Sequence, residues 1–222
     1  MVRRITVFAG HYGSGKTNIA VNFALRLRDE HERVAIADLD IVNPYFRTKD
    51  SAPVLTERGV RLIVSDFAGT NLDAPAFPPA AYSIVDDEKL YSVIDVGGDD
   101  RGALALGRFA EPLKHCGYDM FFVANPYRPL TRDPDSAFEY MREIEDAASL
   151  PFTGIAANPN LGELTEREHI DGASDYMKRL SEISGLPIVF TAVREDLSDS
   201  VHVANAFPIK IYVAQSFNSM VN

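Results

Sequence analysis

Short runs of β-branched and aromatic residues alternate with longer amphipathic stretches along the whole chain. The short runs are almost entirely apolar, which is typical of strands that are buried on both faces of a sheet. They predict strands over residues 5–9, 34–38, 60–65, 91–95, 120–124, 153–157, 187–192 and 209–213. The amphipathic stretches predict helices over residues 16–30, 103–115, 134–148 and 165–184.

This alternation of buried strands and helices predicts an α/β protein with three layers. We expect a mostly parallel, twisted sheet of about seven or eight strands with helices on both faces. A chain of 222 residues fits one such domain, and residues 1–222 are assigned to it as a single unit. Residues 68–87 include three prolines, interrupt the alternation and receive no assigned role.

Polar residues follow the ends of several predicted strands. In an open α/β sheet, ligands bind outside the carboxyl ends of the strands. These residues are therefore expected to converge on one site, although they are far apart in sequence. They are residues 10–17, Asp38, Asp40, residues 95–99, Asn125, Asn158 and Arg194.

The segment after the first predicted strand has the Gly-x4-Gly-Lys-Thr pattern of a phosphate-binding loop. It lies between a strand and a helix, where backbone N–H groups and the helix N-terminus can surround phosphate oxygens. Lys16 is expected to contact the β- and γ-phosphates and act in catalysis, and the Thr17 hydroxyl to bind Mg²⁺. Nucleotide binding is assigned to Gly10, His11, Tyr12, Gly13, Ser14, Gly15, Lys16, Thr17 and Asn18.

Three blocks of the sequence resemble the deviant-Walker ATPases, the group that includes MinD, ParA and the nitrogenase iron protein. The blocks are residues 10–17, 36–40 and 93–99, and a weaker resemblance continues through residues 125–126, 158 and 193–196. The resemblance implies a P-loop NTPase fold with ATP and Mg²⁺ as cofactors. It also implies slow hydrolysis and a nucleotide-controlled switch that acts on a protein partner, with a homodimer as one form of that partnership.

The same resemblance implies roles for the carboxylates. Asp95, at the end of an apolar strand, corresponds to the Walker B residue and is assigned with Thr17 and Asp40 to the metal site. Asp40 is expected to orient the attacking water. Asp38 is expected to support the outer shell of the metal and to act as a switch residue, with a plain turn residue as the alternative.

Residues after the carboxylates are assigned to sensing and base recognition. The family pattern implies that Gly98 offers a backbone N–H to the γ-phosphate and that Asp99 transmits the signal. Asn158 resembles the asparagine that reads adenine, although Asn158-Pro159 is also a common turn, and Arg194 is expected to border the base. A guanine-reading Asn-Lys-x-Asp element is absent from the sequence, which favours ATP over GTP.

The sequence departs from this family at residue 11. Family members carry a signature lysine immediately after the first glycine, and this chain has His11 there. His11 is expected either to donate a pH-dependent hydrogen bond to phosphate or to face solvent as an ordinary loop residue. Arg47, Arg101 and Arg128 are the candidates to supply the missing positive charge, with a surface role as the alternative for each.

Charge and cysteine content restrict the class of protein. The 22 Lys and Arg residues against 32 Asp and Glu residues give a formal net charge of −10, which makes nucleic acid an unexpected partner. Cys116 is the only cysteine, so no intrachain disulfide and no Cys/His metal cluster are expected. The sequence shows no signal peptide, no bilayer-spanning run and no membrane-anchoring tail, and we expect a cytoplasmic protein.

Two other functions fit the same motifs. An ATP-dependent amidoligase or synthetase would use the phosphate loop to activate a carboxylate. A regulator that binds nucleotide without hydrolysing it would need the loop and no catalytic residue. Neither alternative is excluded by the sequence.

Overall fold

The computed structural model describes residues 3–39, 48–64, 79–98 and 100–213. Its sheet contains eight strands in the order β3-β2-β4-β1-β5-β6-β7-β8, and every neighbouring pair is parallel. The parallel sheet predicted from the sequence is therefore confirmed. The strands are β1 Ile5–Ala9, β2 Val34–Leu39, β3 Arg61–Val64, β4 Tyr91–Val96, β5 Asp119–Ala124, β6 Gly154–Ala157, β7 Ile188–Arg194 and β8 Ala206–Ile209.

Helices cover both faces of this sheet. Helices α1 and α2 pack on one face, whereas α3, α4, α5, α6 and α8 pack on the other. The predicted three-layer P-loop NTPase architecture is thus confirmed. The helices are α1 Lys16–Glu30, α2 Thr48–Glu57, α3 Ser83–Asp86, α4 Asp100–Gly107, α5 Ala110–Cys116, α6 Pro134–Ala148, α7 Arg167–Asp171 and α8 Ser174–Ser184. Within the described ranges, no helix is both long and apolar enough to cross a membrane.

The strands divide their side chains between two cores because successive residues of a strand point to opposite faces. In β1, Ile5 and Val7 lie in the core beneath α4 to α6, and Phe8 lies in the core beneath α1. The core beneath α1 is rich in aromatic rings, with neighbouring ring centroids 4.8–6.4 Å apart. Burial of each such ring contributes about 1.5–3 kcal/mol, so β1 is firmly held at the centre of the sheet.

Two predicted helices are each divided in two. The stretch predicted over residues 103–115 breaks at Gly107, where a Cβ would lie 2.9 Å from the carbonyl oxygen of Ala147 at the end of α6. The stretch predicted over residues 165–184 breaks between α7 and α8, where the Ala173 N–H turns back to the Ile170 carbonyl three residues earlier. Helix α2 was not predicted, and it contains Pro53.

The last strand lies earlier in the sequence than predicted. Strand β8 ends at Ile209, and residues 210–213, which we call the C-terminal strap, run along α1 instead. The Asn18 amide donates to the Val213 carbonyl at 3.0 Å, and its oxygen accepts from the Tyr212 and Val213 N–H groups. One turn later, the Asn22 amide donates to the Lys210 carbonyl, and its oxygen accepts from the Lys210 N–H. Residues 210–213 thus form hydrogen bonds with side chains of α1 and not the strand that the apolar pattern predicted.

Candidate functional site

The phosphate loop, residues 10–17, connects β1 to α1 at the centre of the sheet. Gly10, Gly13 and Gly15 all have positive φ angles, a conformation that L side chains rarely adopt. At Gly15 space is limiting as well, because a Cβ there would overlap the side-chain amide nitrogen of Asn158. The glycines at these positions are therefore required by the shape of the loop.

The loop is closed around one of its own carbonyl groups. Lys16 is buried, and its ammonium donates to the carbonyl oxygen of His11 at 2.9 Å. The Ser14 N–H donates to the same oxygen at 3.1 Å. Within the described part of the chain, the buried Ser14 hydroxyl oxygen and His11 Nδ1 have no hydrogen-bond partner. The loop thus places an ammonium group, N–H groups and two unsatisfied polar atoms in one small region.

Two buried carboxylates lie side by side at the carboxyl ends of neighbouring strands. Asp38 of β2 pairs in register with Asp95 of β4, and Asp95 also pairs with Phe8 of β1. Both aspartates are at most 5% exposed. Residues 36 and 93, two positions earlier in the strands, pack in the core beneath α1, so the carboxylates lie on the same face of the sheet. That is the face on which α1 begins with Lys16 and Thr17.

The segment after β4 lies directly against the phosphate loop. A Cβ on Gly98 would be 2.6 Å from both the nitrogen and the Cα of Tyr12, and 3.0 Å from the Lys16 ammonium nitrogen. The Tyr140 hydroxyl of α6 donates to the Gly98 carbonyl at 3.0 Å. The Tyr140 ring also packs edge-on against the His11 ring, with centroids 5.3 Å apart. Tyr140 therefore contacts both the loop and the segment that follows the Asp95 strand.

His11 is half-buried beside two cationic side chains. Burial lowers the pKa of His11 below its usual value, and the positive charges of Lys16 and Arg128 lower it further. A backbone hydrogen bond of Tyr12 acts in the opposite direction. Lowering the pKa of His11 from its usual 6.5 favours the neutral ring at pH 7.

The three arginines considered for the missing charge have different positions. Arg47 lies outside the described residues, and Arg101 is exposed on α4. The Arg128 side chain lies over the phosphate loop, where a Cβ on Gly13 would be 3.6 Å from its Nε and 3.8 Å from its Cζ. The structure thus brings one of the three to the loop.

Three asparagines connect the loops after β5 and β6 to the phosphate loop. The buried Asn158 amide donates to the Ser14 carbonyl at 2.5 Å. Asn125 is fully buried, and its amide donates to the Asn160 carbonyl at 2.9 Å. The Asn160 oxygen accepts from the Gly162 N–H and from the Thr165 hydroxyl. Asn160 was not singled out from the sequence; the repeated asparagine in Asn158-Pro159-Asn160 was its only signal.

A small pocket lies beside Asn158 at the carboxyl ends of β6, β7 and β8. Arg194 borders this pocket, and two nitrogens of its guanidinium donate to Asp196 at 2.6 and 2.9 Å. The hydrogen bond with Asp196 raises the pKa of Arg194, so the guanidinium is held charged at the rim. The lining also includes Asn160, Thr165, Ile170, Ile209 and Ile211.

Not every residue assigned from the sequence is placed at this site. Asp40 and Asp99 lie outside the described residues. The Asn18 side chain, assigned to nucleotide binding, is buried and bonds to the C-terminal strap. Of the other assigned residues, Gly98 and Asn158 contact the phosphate loop, and Arg194 borders the pocket beside Asn158.

Comparison with solved structures supports the fold. FtsY of Thermotoga maritima matches with a TM-score of 0.62 and 18% identity over 86% of this chain and 62% of that one. FtsY of Mycoplasma mycoides matches with a TM-score of 0.59 and 16% identity over 88% and 61% of the two chains. The signal recognition particle 54 kDa protein of Aeropyrum pernix, solved in complex with GDP, matches with a TM-score of 0.58 and 16% identity over 86% and 41%.

These identities establish a shared fold and nothing finer. The chain spans less than two thirds of the length of each of these proteins. No protein-family model and no curated protein sequence matches the chain.

Proposed function

We propose that this protein binds ATP with Mg²⁺ and hydrolyses it slowly, as a nucleotide-controlled switch of the MinD/ParA-like type. The observation that carries the proposal is the buried pair Asp38 and Asp95 on the face of the sheet where α1 begins with Lys16 and Thr17. Two buried carboxylates in adjacent strands are costly to ionise unless a cation neutralises them. The adjacent loop has the shape and the donors that a triphosphate requires.

The residues at this point suit Mg²⁺. The described part of the chain contains no group of three or more His, Cys, Asp or Glu residues that could hold a metal alone. Mg²⁺ at nucleotide sites needs only one or two carboxylates, because phosphate oxygens and water complete its octahedron. Thr17 and Asp95 would hold the ion, with Asp38 in its outer shell and Asp40 as a further ligand. When bound, Mg²⁺ neutralises charge on the β- and γ-oxygens.

The loop itself would respond to the nucleotide. Lys16, which now donates to the His11 carbonyl, would exchange this neutral acceptor for phosphate oxygens, a stronger charge-assisted bond. Gly98 touches both Tyr12 and Lys16, so its backbone is placed to detect whether a γ-phosphate is present. Since Tyr140 holds the Gly98 carbonyl, this signal would reach α6 and a protein partner bound to that side.

The base pocket favours adenine in this proposal. The Asn158 amide nitrogen donates to the Ser14 carbonyl, which leaves the side-chain oxygen as the acceptor for a base. Adenine presents an amino donor at the position where guanine presents a carbonyl acceptor. GDP is bound in the Aeropyrum pernix protein, and the base preference of this chain is therefore a point to measure.

The test measures binding of Mg-ATP, Mg-GTP and Mg-ADP by calorimetry and hydrolysis by phosphate release. Wild type should bind ATP more tightly than GTP, and Lys16→Ala should weaken ATP binding at least about tenfold, or 1.4 kcal/mol. Asp95→Asn should remove the dependence of binding on Mg²⁺. Lys114→Ala, at an exposed lysine paired with Glu111, is the matched control and should bind as wild type does.

Three outcomes would overturn the proposal. Unchanged ATP affinity in Lys16→Ala would show that the phosphate loop is not the nucleotide-binding site. ATP cleavage that requires an added carboxylic acid and forms a new product would assign the protein to the ligases, and binding with no ADP formed would make it a nucleotide-binding regulator.

A further inference from the structure

We propose that Arg128 is a catalytic cation that the chain supplies to its own phosphate loop. Its guanidinium would contact the γ-phosphate and the oxygen that bridges the β- and γ-phosphorus atoms. This inference rests on the proposed function and names the residue that stabilises charge during phosphoryl transfer.

The position of Arg128 is the first argument. The side chain crosses Gly13, in the middle of the loop, with Nε, Cζ and Cδ at 3.6, 3.8 and 3.9 Å from the Cβ position of that glycine. Residue 13 is a glycine with a φ of 76°, a conformation that favours glycine. No side chain therefore separates the guanidinium from the loop backbone. A planar guanidinium so close to a phosphate-binding backbone can donate two parallel hydrogen bonds to phosphate oxygens.

The turn that carries Arg128 is built to hold it in place. The buried Asn125 oxygen accepts from the Tyr127 N–H at 3.0 Å, and the Asn125 carbonyl accepts from the Arg128 N–H at 3.3 Å and the Thr131 hydroxyl at 2.9 Å. The Tyr127 hydroxyl is anchored on the His169 carbonyl at 2.6 Å. A donor fixed before the reaction needs little reorganisation as charge develops, which is the main source of electrostatic catalysis.

The electrostatics of the loop point the same way. Lys16 and Arg128 both lie close enough to His11 to lower its pKa. Arg128 is half-buried, and this burial lowers the pKa of its guanidinium. Two cations beside a neutral histidine, in a chain of net charge −10, form a local positive site suited to a triphosphate.

The step itself is a hydrolysis. The oxygen of a water molecule forms a bond to the γ-phosphorus, and the bond from that phosphorus to the bridging oxygen breaks. The electron pair of the broken bond stays on the β-phosphate of ADP. One proton of the water stays on the inorganic phosphate as its hydroxyl, and the other passes to a phosphate oxygen or to solvent. Arg128 remains protonated throughout and stabilises the charge that grows on the bridging and γ-oxygens.

The experiment compares wild type with Arg128→Met, Arg128→Lys and the control Arg132→Met, an exposed arginine four residues later. Single-turnover hydrolysis of ATP and the affinities for ATP, ADP and ADP with aluminium fluoride are measured. Arg128→Met should lower both kcat and the affinity for ADP with aluminium fluoride about 100-fold. Its affinity for ADP alone should stay within about threefold of the wild-type value. Arg128→Lys should recover only part of this loss because lysine lacks the planar fork.

The failure of this inference differs from the failure of the proposed function. If wild type binds Mg-ATP and Arg128→Met matches it in kcat and in aluminium fluoride affinity, Arg128 is not catalytic and the proposed function stands. An equal loss for ADP and ATP would also overturn it, since Arg128 would then serve general phosphate binding. Thermal unfolding checks each variant, and Arg128→Lys decides the question if Arg128→Met does not fold.

Discussion

At the scale of single residues, two backbone surfaces meet at Gly98. The glycine has no side chain, and this absence is what allows the segment after β4 to touch Tyr12 and Lys16 of the phosphate loop. The contact joins the part of the chain that carries Asp95 to the part that surrounds the phosphates. A methyl group on residue 98 would displace either the segment after β4 or the phosphate loop.

Replacing Gly98 by alanine tests this contact. The added Cβ would lie 2.6 Å from backbone atoms of Tyr12, and overpacking of this kind costs about 1–3 kcal/mol, so ATP affinity should fall about tenfold or more. Calorimetric titration with Mg-ATP measures the loss. Gly185→Ala is the control, because it strains a φ of 71° but meets no atom within 4 Å. Equal affinity in Gly98→Ala and wild type would contradict the contact.

His11 should make the stability of the protein depend on pH. Its pKa is lowered in the folded state, so between that value and the ordinary value near 6.5 the unfolded chain binds more protons. The free energy of unfolding should therefore fall as pH decreases from about 7 through this range. In His11→Gln this part of the dependence is lost, and urea unfolding at pH 7.5 and 5.5 measures the difference. Identical pH dependence in both proteins would show that His11 does not titrate abnormally.

At the scale of elements, the C-terminal strap and α1 form one unit. Asn18 satisfies three backbone groups of residues 212 and 213, two of them in a buried setting. Asn18→Ala should lower the free energy of unfolding by about 2 kcal/mol, or less where the strap detaches and is solvated. Hydrogen exchange at Tyr212 and Val213 should accelerate. Asn22→Ala, which removes the bonds to the exposed backbone of Lys210 and one to the Asn18 carbonyl within α1, is the milder control, and a larger effect there than at Asn18 would contradict this assignment.

The elements also show what the sequence could predict. Apolar runs predicted strands β1, β2 and β4. Asp38 and Asp95, at the carboxyl ends of β2 and β4, were expected at the same edge of the sheet. The breaks at Gly107 and near Gly172 could not be predicted, because each depends on close packing or a tightened turn that appears only in the folded chain. The strap was mistaken for a strand because Asn18 and Asn22 supply the hydrogen bonds that a neighbouring strand would otherwise supply.

The same limit applies to side chains of the site. The phosphate loop was predicted by a local pattern, whereas the position of Arg128 over Gly13 depends on β5 lying next to β1. Asn158 was assigned to the base, and the structure adds a bond to Ser14 that no local pattern indicates. Contacts between distant segments carry this information, and a single sequence does not display them.

At the scale of the whole molecule, the order of the strands determines when the site can form. Strand β1 is synthesised before β4 and β5 and lies between them in the sheet, so Ile5 pairs with Ser92 and Thr6 with Asp119. Such distant pairings slow folding, because a long loop must close before any contact forms.

This arrangement has a consequence for the protein while it is being made. Until β4 has left the ribosome, both edges of β1 are unpaired, and its second edge stays unpaired until β5 emerges. Strand edges and apolar surface of this kind promote aggregation of nascent chains. The phosphate loop is therefore translated well before the segments that pack against it, and its surroundings are complete only once β5 and the Arg128 turn have emerged.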